Sequence, residues 1–142
     1  MTTHTRADLD RLSSLARREF SHAHMSDTKW RKLFTAMDEA GVDLEQMIVK
    51  FIDVPEPKVM YFPSINALYQ PYPWIDSFDF GPIELRSIEW MDIPAVARFP
   101  RLNNVPALET AQNLAAAEAV LLHLNCNFAA TPGGLRVIGY SR

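Results

Sequence analysis

The sequence predicts an α+β fold: a single domain whose mostly antiparallel sheet of four to six strands is covered by helices, with an N-terminal helical extension. Residues 75–93 nearly alternate between apolar and polar side chains, which is typical of half-buried strands. Amphipathic helical patterns lie before and after this stretch. Because strand and helix patterns do not alternate regularly along the chain, parallel βαβ winding is disfavoured.

The alternating stretch is the predicted centre of the sheet. It divides into a short strand at residues 75–80 and a long strand at residues 83–93, joined at Gly81 and Pro82. Pro94 is expected to end the second strand, because proline has no backbone N–H to donate to a sheet ladder.

Length and composition indicate one folded domain. The chain has 142 residues, of which 48% are apolar and 22% charged, as is usual for a protein with a proper core. No apolar run approaches the ~18 residues of a membrane span, and the first twenty residues are too polar for a secretory signal. The single cysteine, Cys126, has no partner for an intrachain disulfide. These features predict a reducing cytoplasm.

Charge is distributed unevenly along the chain. Residues 35–93 contain three Lys/Arg and eleven Asp/Glu, whereas the segments on either side are weakly basic. Such an acidic middle argues against nucleic-acid binding, because phosphate contacts require Lys and Arg. It indicates either a solvated acidic face, the interpretation that we favour, or a docking surface for a basic protein partner.

The N-terminal segment is predicted to be an amphipathic helix over residues 6–20, and residues 21–26 interrupt its pattern. We therefore divide the chain into a helical extension, residues 1–25, and an α+β domain, residues 26–142. The helix can pack on its own domain or lie on a membrane or partner surface. A chain that begins at Met25 is expected to fold cooperatively.

Helix and strand patterns continue on both sides of the centre. An apolar stripe predicts a helix around Trp30 and Met37, capped by Ser26, Asp27 or Thr28 and ended at Gly41. Residues 45–53 predict a strand.

Residues 95–105, which follow the sheet centre, are predicted to be irregular. A second helix is expected from Asn104 or Pro106 onward, and its predicted apolar stripe comprises Leu108, Ala111, Ala115, Ala119 and Leu122. Residues 126–130 and 135–140 predict a hairpin with a type II turn.

The segment of residues 54–74 is unusual, because it contains five of the ten prolines together with five aromatic residues. Long connections are often functional, and rings held by prolines can form a recognition surface at low entropy cost. The alternative is a packed loop that covers one end of the sheet. The predicted binding residues are those of this loop and the following strands: Tyr61, Tyr69, Tyr72, Trp74, Asp76, Asp79, Glu84, Glu89 and Asp92.

Glu89 has two possible environments. Strict alternation over residues 83–93 places it on a mostly apolar face, where burial would require a partner such as Arg98, Arg101 or Arg136. A β-bulge near Ser87 would instead turn Glu89 outward, and we favour that arrangement.

Sequence motifs give little support for catalysis. The chain lacks a glycine-rich phosphate loop, a paired-cysteine metal motif and a His-Glu-x-x-His motif. Cys126 and His123 have no evident third member of a catalytic triad, and His22 and His24 could share a metal only in an extended segment. We predict no catalytic residue, no metal site and no cofactor.

Three segments carry a resemblance to a known family. Trp30-Arg-Lys-Leu-Phe, Val49-Lys-Phe-Ile-Asp and the stretch from Phe80 to Ile93 resemble a family of small bacterial domains of unknown function. The resemblance covers residues 30–140 and implies no activity, cofactor or site. In size and acidity the chain is also similar to immunity proteins that neutralise bacterial toxins.

Two classes of function follow from these observations. The first is a non-catalytic protein-binding module that uses the aromatic loop and acidic strands. The second is a small enzyme or ligand binder with carboxylates beside an aromatic pocket. A deep pocket with convergent polar groups would favour the second class, and an exposed patch with aromatic rings would favour the first.

Overall fold

The computed structural model describes residues 6–64, 73–75, 77 and 82–142. These residues contain three α-helices: α1 (Arg6–Glu19), α2 (Asp27–Glu39) and α3 (Leu114–His123). The strands are β1 (His22–Ala23), β2 (Gln46–Phe51), β3 (Lys58–Tyr61), β4 (Trp74–Ile75), β5 (Ile83–Glu84), β6 (Ile88–Pro94), β7 (Val96–Phe99), β8 (Leu108–Ala111), β9 (Phe128–Thr131), β10 (Gly134–Ile138) and β11 (Tyr140–Ser141).

The main sheet has five strands in the order β3-β2-β6-β10-β9, and every neighbouring pair is antiparallel. Three two-stranded sheets accompany it among the described residues: β1 with β11, β4 with β5, and β7 with β8. The predicted α+β class is therefore confirmed. The prediction that the alternating stretch supplies the sheet centre is also confirmed, because β6 is the middle strand.

The predicted long strand over residues 83–93 is wrong in detail. A 3₁₀ turn at Leu85–Ser87 separates β5 from β6, and the Ser87 hydroxyl donates to the Glu84 carbonyl. A bulge does occur, but it lies at Glu89 rather than at Ser87. Lys50 pairs with Trp90 and Phe51 with Ile88, so Glu89 is the extra residue on β6. The turn and the bulge together change the alternation, since Ile88, Met91 and Ile93 are all buried.

Apolar side chains from the main sheet and from helices α2 and α3 pack together in one core cluster. On β2 the buried side chains Met47 and Val49 alternate with half-buried Ile48 and Lys50, as expected for a strand with one face in the core. Helix α2 buries Trp30, Leu33, Phe34 and Met37. Each such side chain contributes about 1.5–3 kcal/mol on burial.

Both ends of α2 follow the prediction. The Ser26 hydroxyl accepts a hydrogen bond from the Lys29 amide at 3.1 Å, which satisfies one of the free N–H groups of the first turn. Past the helix end Gly41 has φ +69°, the left-handed conformation that glycine adopts without a steric penalty.

The predicted helix from residue 104 begins about ten residues too early. Asn103 and Asn104 both have φ near +60°, and the chain turns there to form the β7–β8 hairpin. Helix α3 starts only after Asn113, whose side chain accepts from the Ala116 amide at 3.1 Å. The predicted apolar stripe is also wrong, because α3 buries Ala117, Val120 and Leu121 instead. An alanine-rich helix is apolar on all sides, so its sequence does not define the buried face.

The hairpin of β9 and β10 confirms the C-terminal prediction, but its turn is not type II. Gly133 lacks the positive φ that a type II turn requires at its third residue. The Gly134 amide instead bonds the Thr131 hydroxyl at 3.0 Å. A Cβ at Gly134 would collide with the Ile93 carbonyl oxygen, so glycine allows β10 and β6 to approach here.

The N-terminal segment packs on the rest of the chain. Leu12 is 1% exposed, and the Arg86 side chain joins three elements by donating to Ser13 at 3.1 Å and to Asp27 at 2.7 Å. Strand β1 pairs with the C-terminal β11, and the rings of Phe20 and Tyr140 lie 5.4 Å apart.

The division of the chain at residue 25 remains a prediction, and truncation tests it. A chain beginning at Met25 keeps α2, α3 and all five strands of the main sheet, so we expect a cooperative melting transition. Because it lacks the buried Leu12 and Phe20, its unfolding free energy is expected to fall by about 3–5 kcal/mol. In the full chain, Leu12→Ala should lower the unfolding free energy by about 2–4 kcal/mol. Ser14→Ala, at an exposed position of the same helix, is the control. Loss of the cooperative transition on truncation would show that α1 is integral to the domain.

Two buried glutamines connect the main sheet to the β7–β8 hairpin. The Gln112 side-chain oxygen accepts from the amides of Glu45 and Gln46 at 2.8 and 3.0 Å, and its nitrogen donates to Gln46 O and to Pro94 O. The Gln46 side chain in turn bonds both the N–H and the C=O of Arg98, at 3.0 and 2.7 Å. Each side-chain amide thus acts as a peptide group of a missing neighbouring strand.

Gln112→Glu tests this arrangement with almost no change in shape. A carboxylate cannot donate to the Gln46 and Pro94 carbonyls, so we expect the unfolding free energy to fall by about 2–4 kcal/mol at neutral pH. The loss should be smaller at low pH, where the protonated acid donates one hydrogen bond. Asn113→Asp, at the exposed neighbouring cap position, is the control for charge. A Gln112→Glu protein that is as stable as the parent would show that these hydrogen bonds contribute little.

Candidate functional site

Four neighbouring apolar side chains form an exposed patch beside the edge of the main sheet. Val59, Tyr61 and Leu108 are 56%, 46% and 52% exposed, and Phe99 is half-buried between Tyr61 and Leu108. The rings of Tyr61 and Phe99 stack with their centres 5.1 Å apart and an interplanar angle of 17°. We call these four residues the edge patch.

The strand geometry explains why these side chains are exposed together. Along β3, Met60 points into the core and is 2% exposed, so Val59 and Tyr61 point to the opposite face. Phe99 and Leu108 are directly paired across β7 and β8. The Gln46 side chain holds Arg98, the residue before Phe99, and Gln46 itself pairs with Tyr61. The patch therefore rests on the glutamine connection.

An open cavity of about 250 Å³ is lined in part by three members of the edge patch, Val59, Tyr61 and Phe99. Its lining comprises Gln46, Val59, Met60, Tyr61, Arg98, Phe99 and Pro100. Drug-sized ligands occupy clefts of about 300–1,000 Å³, so this cavity is small for such a ligand. The patch is better suited to surface contact than to enclosing a substrate.

An ion pair crosses the middle of the sheet on the face away from α2. Asp92 and Arg136 are directly opposite on β6 and β10, and two hydrogen bonds of 2.7 and 3.0 Å join their side chains. The Arg136 guanidinium also lies 3.7 Å from the centre of the Trp90 ring. The hydrogen bond to Asp92 raises the pKa of Arg136 above its usual value. Paired and stacked in this way, Arg136 is held rigidly.

Glu89 is half-buried and forms an ion pair with Lys50 at 3.5 Å. None of the three predicted arginine partners forms an ion pair with it within the described part of the chain. Arg136 bonds Asp92, Arg98 lies 3.4 Å from Glu109, and Arg101 donates to the Pro106 carbonyl at 2.8 Å. The bulge at Glu89 brings its carboxylate to Lys50 on the neighbouring strand.

The remaining predicted binding residues do not form one described cluster. Tyr61 belongs to the edge patch, near the Pro94 end of β6. Trp74 and Glu84 are half-buried and pair with each other in the β4–β5 hairpin, which precedes the Ile88 end of that strand. The other four predicted residues lie outside the described residues: Tyr69, Tyr72, Asp76 and Asp79. The binding role of the whole set stays a prediction.

Two residues considered for catalysis or metal binding, Cys126 and His24, lie in well-defined surroundings. Burial raises the pKa of the Cys126 thiol, an effect that the positive charge of Lys29 opposes, so the reactive thiolate is disfavoured. The two ring nitrogens of His24 contact Ser141 and Asn127 at 2.8 and 3.1 Å. Within the described ranges, His, Cys, Asp and Glu side chains do not gather in threes to form a possible metal site.

The Asp92–Arg136 pair can be tested as a structural unit. Because both side chains keep some solvent contact, we expect Asp92→Asn and Arg136→Gln each to lower the unfolding free energy by about 1 kcal/mol. The double variant should lose less than the sum of the two single losses, as measured by urea denaturation. Strictly additive losses would argue against a direct interaction. Arg98→Gln and Glu109→Gln, an exposed pair, provide the matched comparison.

Three members of the edge patch were missed in the sequence. Val59 and Tyr61 alternate around Met60, which is a strand signal, but the surrounding prolines favour a loop over this segment. Leu108 was assigned to a helix stripe, and Phe99 to an irregular segment. Neither could be placed without the β7–β8 pairing.

Comparison with known proteins places the chain in a family. The model of a family of unknown function, DUF6678, matches residues 12–142, so the chain belongs to that family. The match begins within α1, earlier than the resemblance from residue 30 suggested. No curated protein and no solved structure matches the chain. No helix of the described part is long and apolar enough to cross a membrane.

Proposed function

We propose that this member of DUF6678 is a non-catalytic protein-binding module and that the edge patch is its principal contact surface. The observation that carries the proposal is the exposure of Val59, Tyr61 and Leu108 around the half-buried ring of Phe99. Contiguous exposed apolar side chains are typical of interaction sites. Tyrosine is also among the residues that most often contribute binding energy at protein interfaces.

The backbone beside the patch offers a second mode of contact. Strand β3 is the last strand of the main sheet on its side. An edge strand can accept an additional strand from a partner through main-chain hydrogen bonds, while side chains such as Val59 and Tyr61 provide specificity.

Charge near the patch favours a basic partner. Asp43 is exposed and Glu45 half-buried, and neither side chain forms an ion pair within the described ranges. Glu45 directly precedes Gln46, the residue that pairs with Tyr61. Two unpaired carboxylates at the rim of an apolar patch would increase the association rate with a basic protein and make it salt-sensitive.

The proline-rich connection supplies a second part of the proposed surface. Tyr69, Tyr72, Asp76 and Asp79, together with Trp74 and Glu84, remain proposed contacts on the basis of sequence. Because this connection follows β3 in the chain, it can extend the surface that starts at Tyr61. We place this activity in a bacterial cytoplasm, because the family resemblance suggests a bacterial source and the composition and single cysteine suggest a reducing compartment. In this proposal the chain acts as immunity proteins do, which bind toxins and neutralise them.

The test begins with a candidate partner, the product of the neighbouring reading frame, purified and titrated by calorimetry. We expect Tyr61→Ala and Phe99→Ala each to weaken binding at least tenfold, which is typical of aromatic interface anchors. Leu102→Ala is the matched control, because Leu102 is 84% exposed but lies outside the patch. Its affinity should remain that of the parent.

Melting temperatures distinguish a binding effect from unfolding. The Tyr61→Ala and Phe99→Ala proteins should melt within a few degrees of the parent, since both rings retain solvent contact. Tyr72→Ala with Trp74→Ala applies the same comparison to the proline-rich connection. Unchanged affinity in the edge-patch variants, with the partner still bound, would exclude this patch as the contact surface. Affinity that does not weaken with salt would argue against the basic partner.

A further inference from the structure

A groove of about 990 Å³ runs between α2 and α3 on the helical side of the domain. Its walls consist largely of small and aliphatic side chains, among them Ala36, Ala119 and Val120. Polar side chains also line it, with Thr35 near its middle and Thr28, Lys32, Glu39 and His123 nearer its ends. The volume is within the range of small-molecule binding sites, about 300–1,000 Å³.

The two helices give the groove a direction. The Lys29 ammonium, in the first turn of α2, donates to the Asn125 carbonyl just beyond the end of α3, at 2.9 Å. The start of α2 is therefore next to the end of α3. This places Lys32 and His123 toward one end of the groove. Glu39, near the end of α2, lines the groove at the other end.

The positive end is available for a ligand. Lys32 and His123 are exposed, and neither forms a hydrogen bond or ion pair in the part of the chain that the structure describes. Arg31, which is 7% exposed, also lines the groove. Glu39 at the far end would repel an anion, so the charges favour one orientation of a ligand with a negative head.

We propose that this groove binds a medium-chain aliphatic carboxylate. The carboxylate lies between Lys32 and His123, and the hydrocarbon chain lies along Ala36, Ala119 and Val120. From Thr28 to Ala40 the helix α2 extends about 18 Å, which accommodates an elongated chain rather than a compact ring. Alanine at four lining positions of the groove, residues 36, 40, 116 and 119, leaves the width that the chain occupies. This site is independent of the edge patch and of the proposed partner binding.

The experiment uses dodecanoate, below its micelle-forming concentration, titrated into the ¹⁵N-labelled full chain. We expect amide shifts concentrated in α2 and α3 and saturable binding by calorimetry. Acetate supplies the head group alone, and dodecylamine supplies the same tail with the opposite charge. Both should bind at least tenfold more weakly than dodecanoate. Equal binding of dodecanoate and dodecylamine would overturn the proposal, because only general apolar adsorption would remain.

Matched variants locate the site. Ala119→Trp fills the groove and should weaken dodecanoate binding more than tenfold, whereas Leu122→Trp adds the same ring at a residue outside the lining. Lys32→Gln should weaken binding about threefold, while Arg18→Gln, an equal change in charge on α1, should have no effect. Melting curves verify that each variant is folded. Parent-like affinity in folded Ala119→Trp would place the ligand elsewhere and reject this groove.

Discussion

The architecture depends on how the chain replaces the backbone pairing that is lost at Pro94. Proline has no N–H. Strand β6 ends at Pro94, so Gln46, the first residue of β2, has no backbone partner on β6. The buried Gln112 side chain bonds the backbone N–H and C=O of Gln46 and also the Pro94 carbonyl. An unpaired buried backbone group costs about 1–3 kcal/mol, so one side chain prevents several such losses. Without it, the start of β2 would lack a partner on that side.

The same connection determines which side chains are exposed. Gln46 extends the pairing to Arg98, which places the β7–β8 hairpin beside the start of β2 and brings Phe99 onto Tyr61. The rings cover each other in part, but the main sheet has no further strand there among the described residues to bury them. Exposure of the edge patch is therefore a consequence of a well-defined buried polar network. A rigid base of this kind lowers the entropy lost when a partner binds.

The sequence predicted those features that depend on local pattern. Helix α2, strand β2 and the central position of β6 follow from periodicity, caps and one proline, and all three are present. Features that depend on distant residues were not predictable. Gln46 and Gln112 are 66 positions apart, and their spacing carries no signal. The start of α3 was misplaced because the left-handed turn at Asn103 and Asn104 competes with an apolar pattern that fits a helix equally well.

The distribution of charge shows most clearly that local sequence patterns do not predict features that depend on distant residues. The acidic excess of residues 35–93 predicts either a solvated acidic face or a docking surface for a basic partner, yet Asp92 is held by Arg136, a residue of the basic C-terminal segment. Glu89 is held by Lys50. A segment's net charge therefore differs from the potential of the surface that it forms, because strand register decides which charges meet. Exposed Asp43 and half-buried Glu45, by contrast, form no ion pair among the described residues. Those two residues directly precede the strand that pairs with Tyr61, so unpaired carboxylates lead into the strand beside the edge patch, whereas the carboxylates of the sheet centre are paired.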